Sequence, residues 1–249
     1  MANLKQVKDS KAHSMGLHKE VLKGRTQQVF FNPEETENFF YHGAYDVNFN
    51  KRTEVDTKDL NCKQLNDKLN SLIRDGYGTI VVKNPQGKHS LGVGILNKLN
   101  LIFEGSLGYF GIGCIDGPIV RITGRVGWSC AENMMAGKVV VEKNAGSCFG
   151  AAIRGGDLIC RGSVGARTGI DMKGGTIMIG GDAGIFTGFM MQRGRIIILG
   201  NTGPNLGDSM YDGTIFVGGT IKSLGSDAVE SKLTSLDIAW LKRKLKVAE

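Results

Sequence analysis

No two cysteines of this chain are spaced as CxxC. Cys62, Cys114, Cys130, Cys148 and Cys160 stand apart, which argues against a zinc site or iron–sulfur cluster held by this chain and for free thiols in a reducing compartment. Four of them fall in the repeats described below, so core thiols are expected. The histidines are His13, His18, His42 and His89, and none follows. Most of the chain therefore has no imidazole to serve as base or ligand. There is no HExxH, no P-loop and no nucleophile elbow. No apolar run approaches the roughly 20 residues that a membrane helix needs. The polar N-terminus does not read as a secretory signal. Together these absences predict a cytoplasmic protein with no membrane partner. Aromatic residues make up only 7% of the chain. The net charge of +7 owes much to the two ends, through Lys5, Lys8, Lys11, Lys19, Lys23 and Arg25 and then Lys242, Arg243, Lys244 and Lys246. A basic face interleaved with stacking aromatics, which nucleic-acid binding requires, is not visible. The charged ends read as solvated, or as tails on an acidic partner.

Glycine is what the chain has in excess. Of 37 glycines, 28 lie between Asn100 and Gly219. This stretch repeats every 19 residues, with turns starting at Asn100, Ile119, Lys138, Asp157, Thr176, Arg195 and Thr214. That gives six complete turns and part of a seventh. The second and fourth residues are apolar throughout: Leu101/Phe103, Val120/Ile122, Val139/Val141, Leu158/Cys160, Ile177/Ile179, Ile196/Ile198 and Ile215/Val217. The ninth is glycine at 108, 127, 146, 165, 184 and 203, and the nineteenth is glycine at 137, 156, 175, 194 and 213. The sixteenth is Ile115, Met134, Ile153, Met172, Met191 and Met210.

A fixed period near 20 residues means stacked turns. Alternating apolar residues within each turn make them strands rather than helices. The corner glycines supply positive φ or close backbone approach. Proline is scarce in the coils, as ladder hydrogen bonding requires. The pattern predicts a mainly β protein, a right-handed parallel β-helix of about seven coils, on the order of 30 Å long at about 4.8 Å per strand. A small N-terminal α/β extension and a C-terminal helix complete it. The expected domains are an N-terminal extension over 1–54, a helix–strand lead-in over 55–98, the β-helix over 99–225 and a helical tail over 226–249.

Outside the coils, Asn61 and Gln64 form a capping box before an apolar stripe of Leu65, Leu69, Leu72 and Ile73, and Gly76 ends that helix. Thr79 to Val82 reads as a strand. Thr234 and Asp237 open a last helix whose face is Ile238, Leu241 and Leu245, expected as a lid on the C-terminal end of the column. Phe30, Phe31, Phe39, Phe40, Tyr41 and Tyr45 form a dense aromatic cluster that something must cover, either this chain or another subunit.

Chemistry is hard to find in the coils. Gly111, Gly113 and Gly117 have the wrong spacing for a dinucleotide fingerprint and no βαβ unit around them. Gly180 to Gly184 has neither the period nor the aspartate placement of a calcium-binding nonapeptide. Hexapeptide-repeat acyltransferases repeat in sixes and need a histidine between coils. Pectin-lyase-like helices carry a charged groove with stacking aromatics. Arg154, Arg161 and Arg167 with Asp157, Asp171 and Asp182 could form a catalytic patch, a solvated face or an interface rim.

The phrase GGTIMIGGDAG, residues 174–184, resembles the GXGXG β-helix domain at the C-terminal end of the glutamate synthase large subunit. Five further segments resemble the stand-alone form of that domain, the middle subunit of N-methylglutamate synthase and its relatives. They are NPQGKHSLGVG from Asn84, AENMMAGKVVV from Ala131, GIDMKGG from Gly169, FMMQRG from Phe189 and LGDSMYDGTIFVGGTIKSLGSDAVE from Leu206. The resemblance runs from about Val55 to Glu230. It implies a division of labour. A class II amidotransferase releases ammonia, an FMN and iron–sulfur subunit reduces an imine, and the β-helix joins the two without making a bond. The expected partners are therefore a class II glutamine-amidotransferase-like subunit and an FMN/iron–sulfur subunit in a hetero-oligomer. The chain alone is expected to bind no cofactor and no metal and to hold no catalytic residue. It fits by what it lacks: Ala2 stands where an amidotransferase has its cysteine, and no βα repeat could build a flavin barrel. Two other readings are a β-helix subunit of a formylmethanofuran-dehydrogenase-like complex and an independent β-helix hydrolase, lyase or transferase.

Polar residues near the Met column mark a candidate subunit interface: Glu132, Asn133, Asp171, Gln192, Asp208 and Tyr211. His89 and Asn84 are expected to continue the same edge. The alternative is that each satisfies a local turn, as Asn and Asp often do.

Overall fold

The computed structural model describes residues 5–9 and 45–247. Its strands are β1 (Lys5–Asp9), β2 (Asn48–Asp56), β3 (Tyr77–Lys83), β4 (Asn100–Glu104), β5 (Asp116–Ile122), β6 (Ala136–Val141), β7 (Asp157–Cys160), β8 (Lys173–Ile179), β9 (Arg193–Ile198), β10 (Thr214–Val217) and β11 (Ala228–Ser231). Two helices, α1 (Cys62–Arg74) and α2 (Ser235–Val247), flank them. The strands form one sheet of 11, ordered β11-β1-β10-β9-β8-β7-β6-β5-β4-β3-β2. From β2 to β10 every pairing is parallel. The chain is thus a parallel β-helix, and strands β2 and β3 lengthen the ladder beyond the seven repeat turns, to on the order of 40 Å.

The register follows the 19-residue frame. Leu101 lies beside Val120, then Val139, Leu158, Ile177, Ile196 and Ile215. All seven are buried, as is the sixteenth column from Ile115 to Met210. The eighth column, from Leu107 to Ile221, forms a second wall of single parallel bridges.

The remaining wall has an unusual backbone. In each coil the eleventh, thirteenth and fifteenth residues take positive φ, as at Ser129, Ala131 and Asn133 (55°, 58° and 52°). Alternating hands turn successive peptide planes over. Ser129 N–H and Asn133 N–H donate forward to Ser147 and Ala151, whereas Ala131 N–H donates back to Gly111. A stretch with turn-like dihedrals therefore works as a ladder. The conformation costs a side chain about 1–2 kcal/mol per residue, and the buried donors it satisfies offset this. The thirteenth residue points into the core. It is Gly150, Gly169, Gly188 or Gly207 in four coils and the fully buried Ile112 or Ala131 in two others.

The two repeated glycine columns differ in their cause. Gly175 has φ +77°. Gly165 has no such φ, but a Cβ there would stand 2.6 Å from Ser147 N and 2.8 Å from Gly146 C of the preceding coil. Close stacking alone fixes the ninth position.

Both ends are closed. Asn61 and Gln64 make the expected capping box of α1, and Leu65, Leu69, Leu72 and Ile73 are buried against the first coil. Among the described residues no coil precedes Ser90 to Gly92, and the Asn66 carboxamide takes its place. Its Oδ1 accepts from Gly92 N–H at 2.9 Å and its Nδ2 donates to Ser90 O at 2.8 Å. At the other end β1 inserts antiparallel between β10 and β11, burying Val7 and Gln6.

The last helix corrects an expectation. Thr234 and Asp237 do cap it, with Thr234 N–H donating to Asp237 at 2.9 Å. It is not a lid on the column, because β1 and β11 close that end. It lies instead across the outer face of the sheet, on the third column: Val140, Ile159, Met178, Ile197 and Phe216. Trp240 is the anchor, stacked on Phe216 at 5.7 Å with the Arg195 guanidinium 4.3 Å over its ring. Leu241 is buried and Leu245 packs beside it, whereas Ile238 is exposed. Lys244 pairs with Asp157 at 2.7 Å. The row turns polar at Arg121, which is exposed. Of the expected aromatic cluster only Tyr45 lies within the described residues, and it is partly exposed.

Two substitutions test the architecture. Gly165→Val is expected to destabilise by about 3 kcal/mol or more through overpacking. Arg161→Ala, which loses an exposed pair with Glu142, is expected to change stability by less than about 1 kcal/mol. Equal denaturation midpoints would contradict the coil register. Asn66→Ala is expected to cost about 1–3 kcal/mol by orphaning Gly92 N–H and Ser90 O. Hydrogen exchange at Gly92 should accelerate while that of β8 and β9 amides does not.

Candidate functional site

In the coil frame Glu132 and Asp208 occupy the fourteenth column, Asn133 and Asp171 the fifteenth, and Gln192 and Tyr211 the seventeenth. These columns flank the buried Met column. Asp171 accepts a hydrogen bond from Gln192 of the next coil and lies 3.0 Å from Lys173. Asp208 accepts from Ser226 N–H at 3.0 Å, a local turn role. Tyr211 is 67% exposed. Glu132 and Asn133 are half-buried. The fifteenth-column residues also take positive φ, which explains Asn133 and Asp171 there without recourse to a partner. Local roles thus account for Asn133, Asp171 and Asp208.

Asn84 and His89 stand elsewhere. Asn84 follows Lys83, the partner of the fifth-column Glu104, and donates to Asp56 at 2.9 Å. His89 Nδ1 accepts from Tyr109 N–H at 2.8 Å, and its ring stacks on Tyr109 at 4.7 Å. Tyr109 is a tenth-column residue and stacks in turn on Trp128 at 5.4 Å. His89 therefore begins an aromatic ladder on a different corner of the coil. The spacing of 19 between Tyr109 and Trp128 was the available signal.

The arginines and aspartates that could have formed a catalytic patch are dispersed. Arg161 and Arg121 share Glu142 at 2.9 and 2.8 Å. Asp157 pairs with Lys244. Asp182 belongs to a seventh-column ladder in which a side-chain oxygen accepts the backbone N–H one coil further on. Asn144 accepts from Ser163, Ser163 from Asp182, Asp182 from Asn201 and Asn201 from Thr220, at 2.7–3.0 Å. These side chains complete the backbone ladder at a corner. The period marks this column too, but its residue types vary.

An open cleft of about 660 Å³ lies between β2 and α1, lined by Glu54, Asp56, Lys58, Asp59, Gln64 and Lys68 among others. Two of its three carboxylates are engaged. Lys83 hydrogen-bonds Glu54 and holds its carboxyl below the ordinary range, and Asn84 does the same for Asp56. Such groups are poor general acids near neutral pH. The five cysteines are unbonded. Burial pushes the Cys130 thiol far up and Cys160 up to about 11, so neither is a thiolate nucleophile. Cys114 is exposed rather than in the core. Among the described residues no group of three or more His, Cys, Asp or Glu could hold a metal ion, and no helix is long and apolar enough to cross a membrane.

These columns recur in known proteins. The family model described as the GXGXG motif matches residues 75–245. Protein GlxC of Rhizobium meliloti (strain 1021) is 45% identical over 60 residues, 24% of this chain and 26% of that protein. The match thus spans about a quarter of that relative's length. No solved structure matches the chain. The family pattern runs from the end of α1 into α2 and takes in every repeat turn, so the chain belongs to the GXGXG family, the glutamate-synthase-type β-helix domain.

Proposed function

We propose that this chain is a non-catalytic β-helix subunit of a glutamate-synthase-like complex, of the stand-alone kind found in N-methylglutamate synthase. It holds a class II glutamine-amidotransferase-like subunit and an FMN/iron–sulfur subunit in one cytoplasmic assembly. That assembly moves amide nitrogen or an amine onto a 2-oxo acid in amino acid biosynthesis. FMN and the cluster reside in the partner. This chain contributes a stiff rod whose columns repeat at a fixed rise, so docking groups far apart in sequence stand in line.

The observation that carries the reading is the family match over 75–245. The engaged state of the coil charges supports it. Asp157, Asp182, Glu142 and Arg161 are committed to ion pairs or backbone donors that the fold itself needs. The edge formed by Glu132, Asn133, Asp171, Gln192, Asp208 and Tyr211 is the proposed dock for the flavin subunit. Tyr211, 67% exposed, is the kind of side chain on which such a dock is built.

The purified chain is expected to carry neither FMN nor iron and to release no ammonia from glutamine. Stoichiometric flavin or iron by absorbance and metal analysis would overturn this. Glu132→Ala, Asn133→Ala and Gln192→Ala together are expected to weaken co-purification with the flavin subunit about tenfold or more. Undiminished assembly, with an unchanged circular dichroism spectrum, removes this edge as the dock.

A further inference from the structure

A second surface lies on the opposite side of the ninth-column glycines from the seventh-column ladder. His89, Tyr109 and Trp128 stack there along the coil axis, at centroid distances of 4.7 and 5.4 Å. Phe110 stands beside them. Tyr109, Phe110 and Trp128 are 43%, 47% and 58% exposed. The glycines make room for this ladder. A Cβ on Gly127 would meet the Tyr109 ring at 2.6 Å, and one on Gly146 would meet Trp128 Cδ1 at 2.7 Å. Each ring thus leans over the glycine of the coil that follows.

Within the columns that carry the rings the charge has one sign. Columns six to eleven of the Asn100, Ile119, Lys138 and Asp157 coils, and the matching residues 86–90, contain Lys88, Arg125, Lys143 and Arg167 and no acidic residue. Arg125, Lys143 and Arg167 are exposed, whereas Lys88 is tied to the Thr57 and Leu60 carbonyls. Acidic residues return at Asp182 in the next coil. On the flanks, Glu142 is taken by Arg121 and Arg161, Glu104 is exposed at the fifth column and Glu132 stands at the fourteenth.

Large exposed aromatics beside arginine are the composition of interface hot spots. Ring geometry selects the class of occupant. A nucleobase needs a free ring face on which to stack. Both faces of Tyr109 are taken by His89 and Trp128, and the far side of Trp128 lies over Gly146. What the corner offers is ring edges and cations. Edges suit apolar and aromatic protein side chains, and the cations suit carboxylates.

We propose that the corner built by His89, Tyr109, Phe110 and Trp128, with Arg125, Lys143 and Arg167, is a protein-docking surface for a partner with an apolar centre and a rim of carboxylates. The inference rests on the scaffold reading above and assigns that scaffold a second dock, on a different corner from the Met-column edge. Two docks on separate corners let the rod hold two subunits at once.

Trp128 and Trp240 are the two tryptophans of the chain, so one experiment reads the surface directly. The full chain is labelled with 5-fluorotryptophan, and Trp128→Phe assigns its two fluorine resonances. Amidotransferase-type and flavin-type subunits of the proposed complex are purified unlabelled and titrated in separately. The expected result is that one of them moves the Trp128 resonance and leaves that of Trp240, under α2, in place. Trp128→Ala is expected to weaken that subunit's binding about tenfold or more. Arg125→Glu with Lys143→Glu, a surface change that spares the rings, is expected to do the same and to flatten the salt dependence. The triple alanine variant of the Met-column edge should bind this subunit as the wild type does.

A wild-type complex that leaves the Trp128 resonance unmoved, or that both variants form at wild-type affinity, overturns the proposal while the scaffold reading stands. Failure of the wild-type chain to bind either subunit overturns the scaffold reading and this surface with it. A Trp128 resonance in the free chain without the solvent-isotope shift of an exposed indole also overturns the proposal, because another segment of the chain then covers the corner. So does a shift produced by an oligothymidylate and by neither subunit.

Discussion

Coil-to-coil hydrogen bonding at a constant pitch is the constraint from which the rest of the structure follows. Each coil must meet its neighbour's donors and acceptors along almost its whole perimeter, not in one strand alone. The parallel sheet does this on one wall. On another, alternating backbone hands at the eleventh, thirteenth and fifteenth residues send N–H groups forward and back in turn. At the seventh-column corner the backbone cannot close the ladder unaided, and Asn144, Ser163, Asp182 and Asn201 lend side-chain oxygens. Buried donors left unpaired would cost about as much as the packing gains at the same positions. The period is consequently kept in backbone conformation even where the side chains differ.

Such a ladder has no natural stop, and the two ends are closed by unlike means. At one end a single carboxamide, Asn66, imitates the peptide group of a coil that is not there. At the other, a strand from the beginning of the chain returns antiparallel to the last parallel strand. The outer face of the sheet poses a separate problem. Its third column becomes apolar from Val140 to Phe216, and α2 covers that row and ends where it turns to Arg121. The corners and edges left uncovered carry the side chains that regular coils do not require.

Those side chains connect the fold to its proposed role. Charges that resemble catalytic groups in a linear reading, such as Asp157 and Asp182, are consumed by the architecture. Lys83 and Asn84 likewise hold the cleft carboxylates Glu54 and Asp56 in their charged form. Cys160 is fixed by burial and by its contact with the Lys143 carbonyl at 3.0 Å. What remains is display: exposed aromatic and polar columns on a stiff rod, which suits a subunit that positions others.

The sequence by itself determined the repeat and therefore the strands, the inward columns and the first helix with its capping box. These depend on local periodicity, and a solenoid brings residues 19 apart into contact by construction, so the linear pattern is already a contact map. The same frame puts Glu132, Asn133, Asp171, Gln192, Asp208 and Tyr211 in the columns beside the Met column. Only the tertiary structure decided where non-repeating parts go. The position of α2 against Phe216 and Arg195, the return of β1 to the far end, and the use of Asn66 as a substitute coil all join residues with no periodic relation. His89 and Asn84 were placed on the wrong edge: the 19-residue frame carried back one turn assigns them the ninth and fourth columns, near the corner they occupy and away from the Met column. The outward apolar column was present in the sequence, but it could not be told from ordinary surface until a helix was seen to cover it.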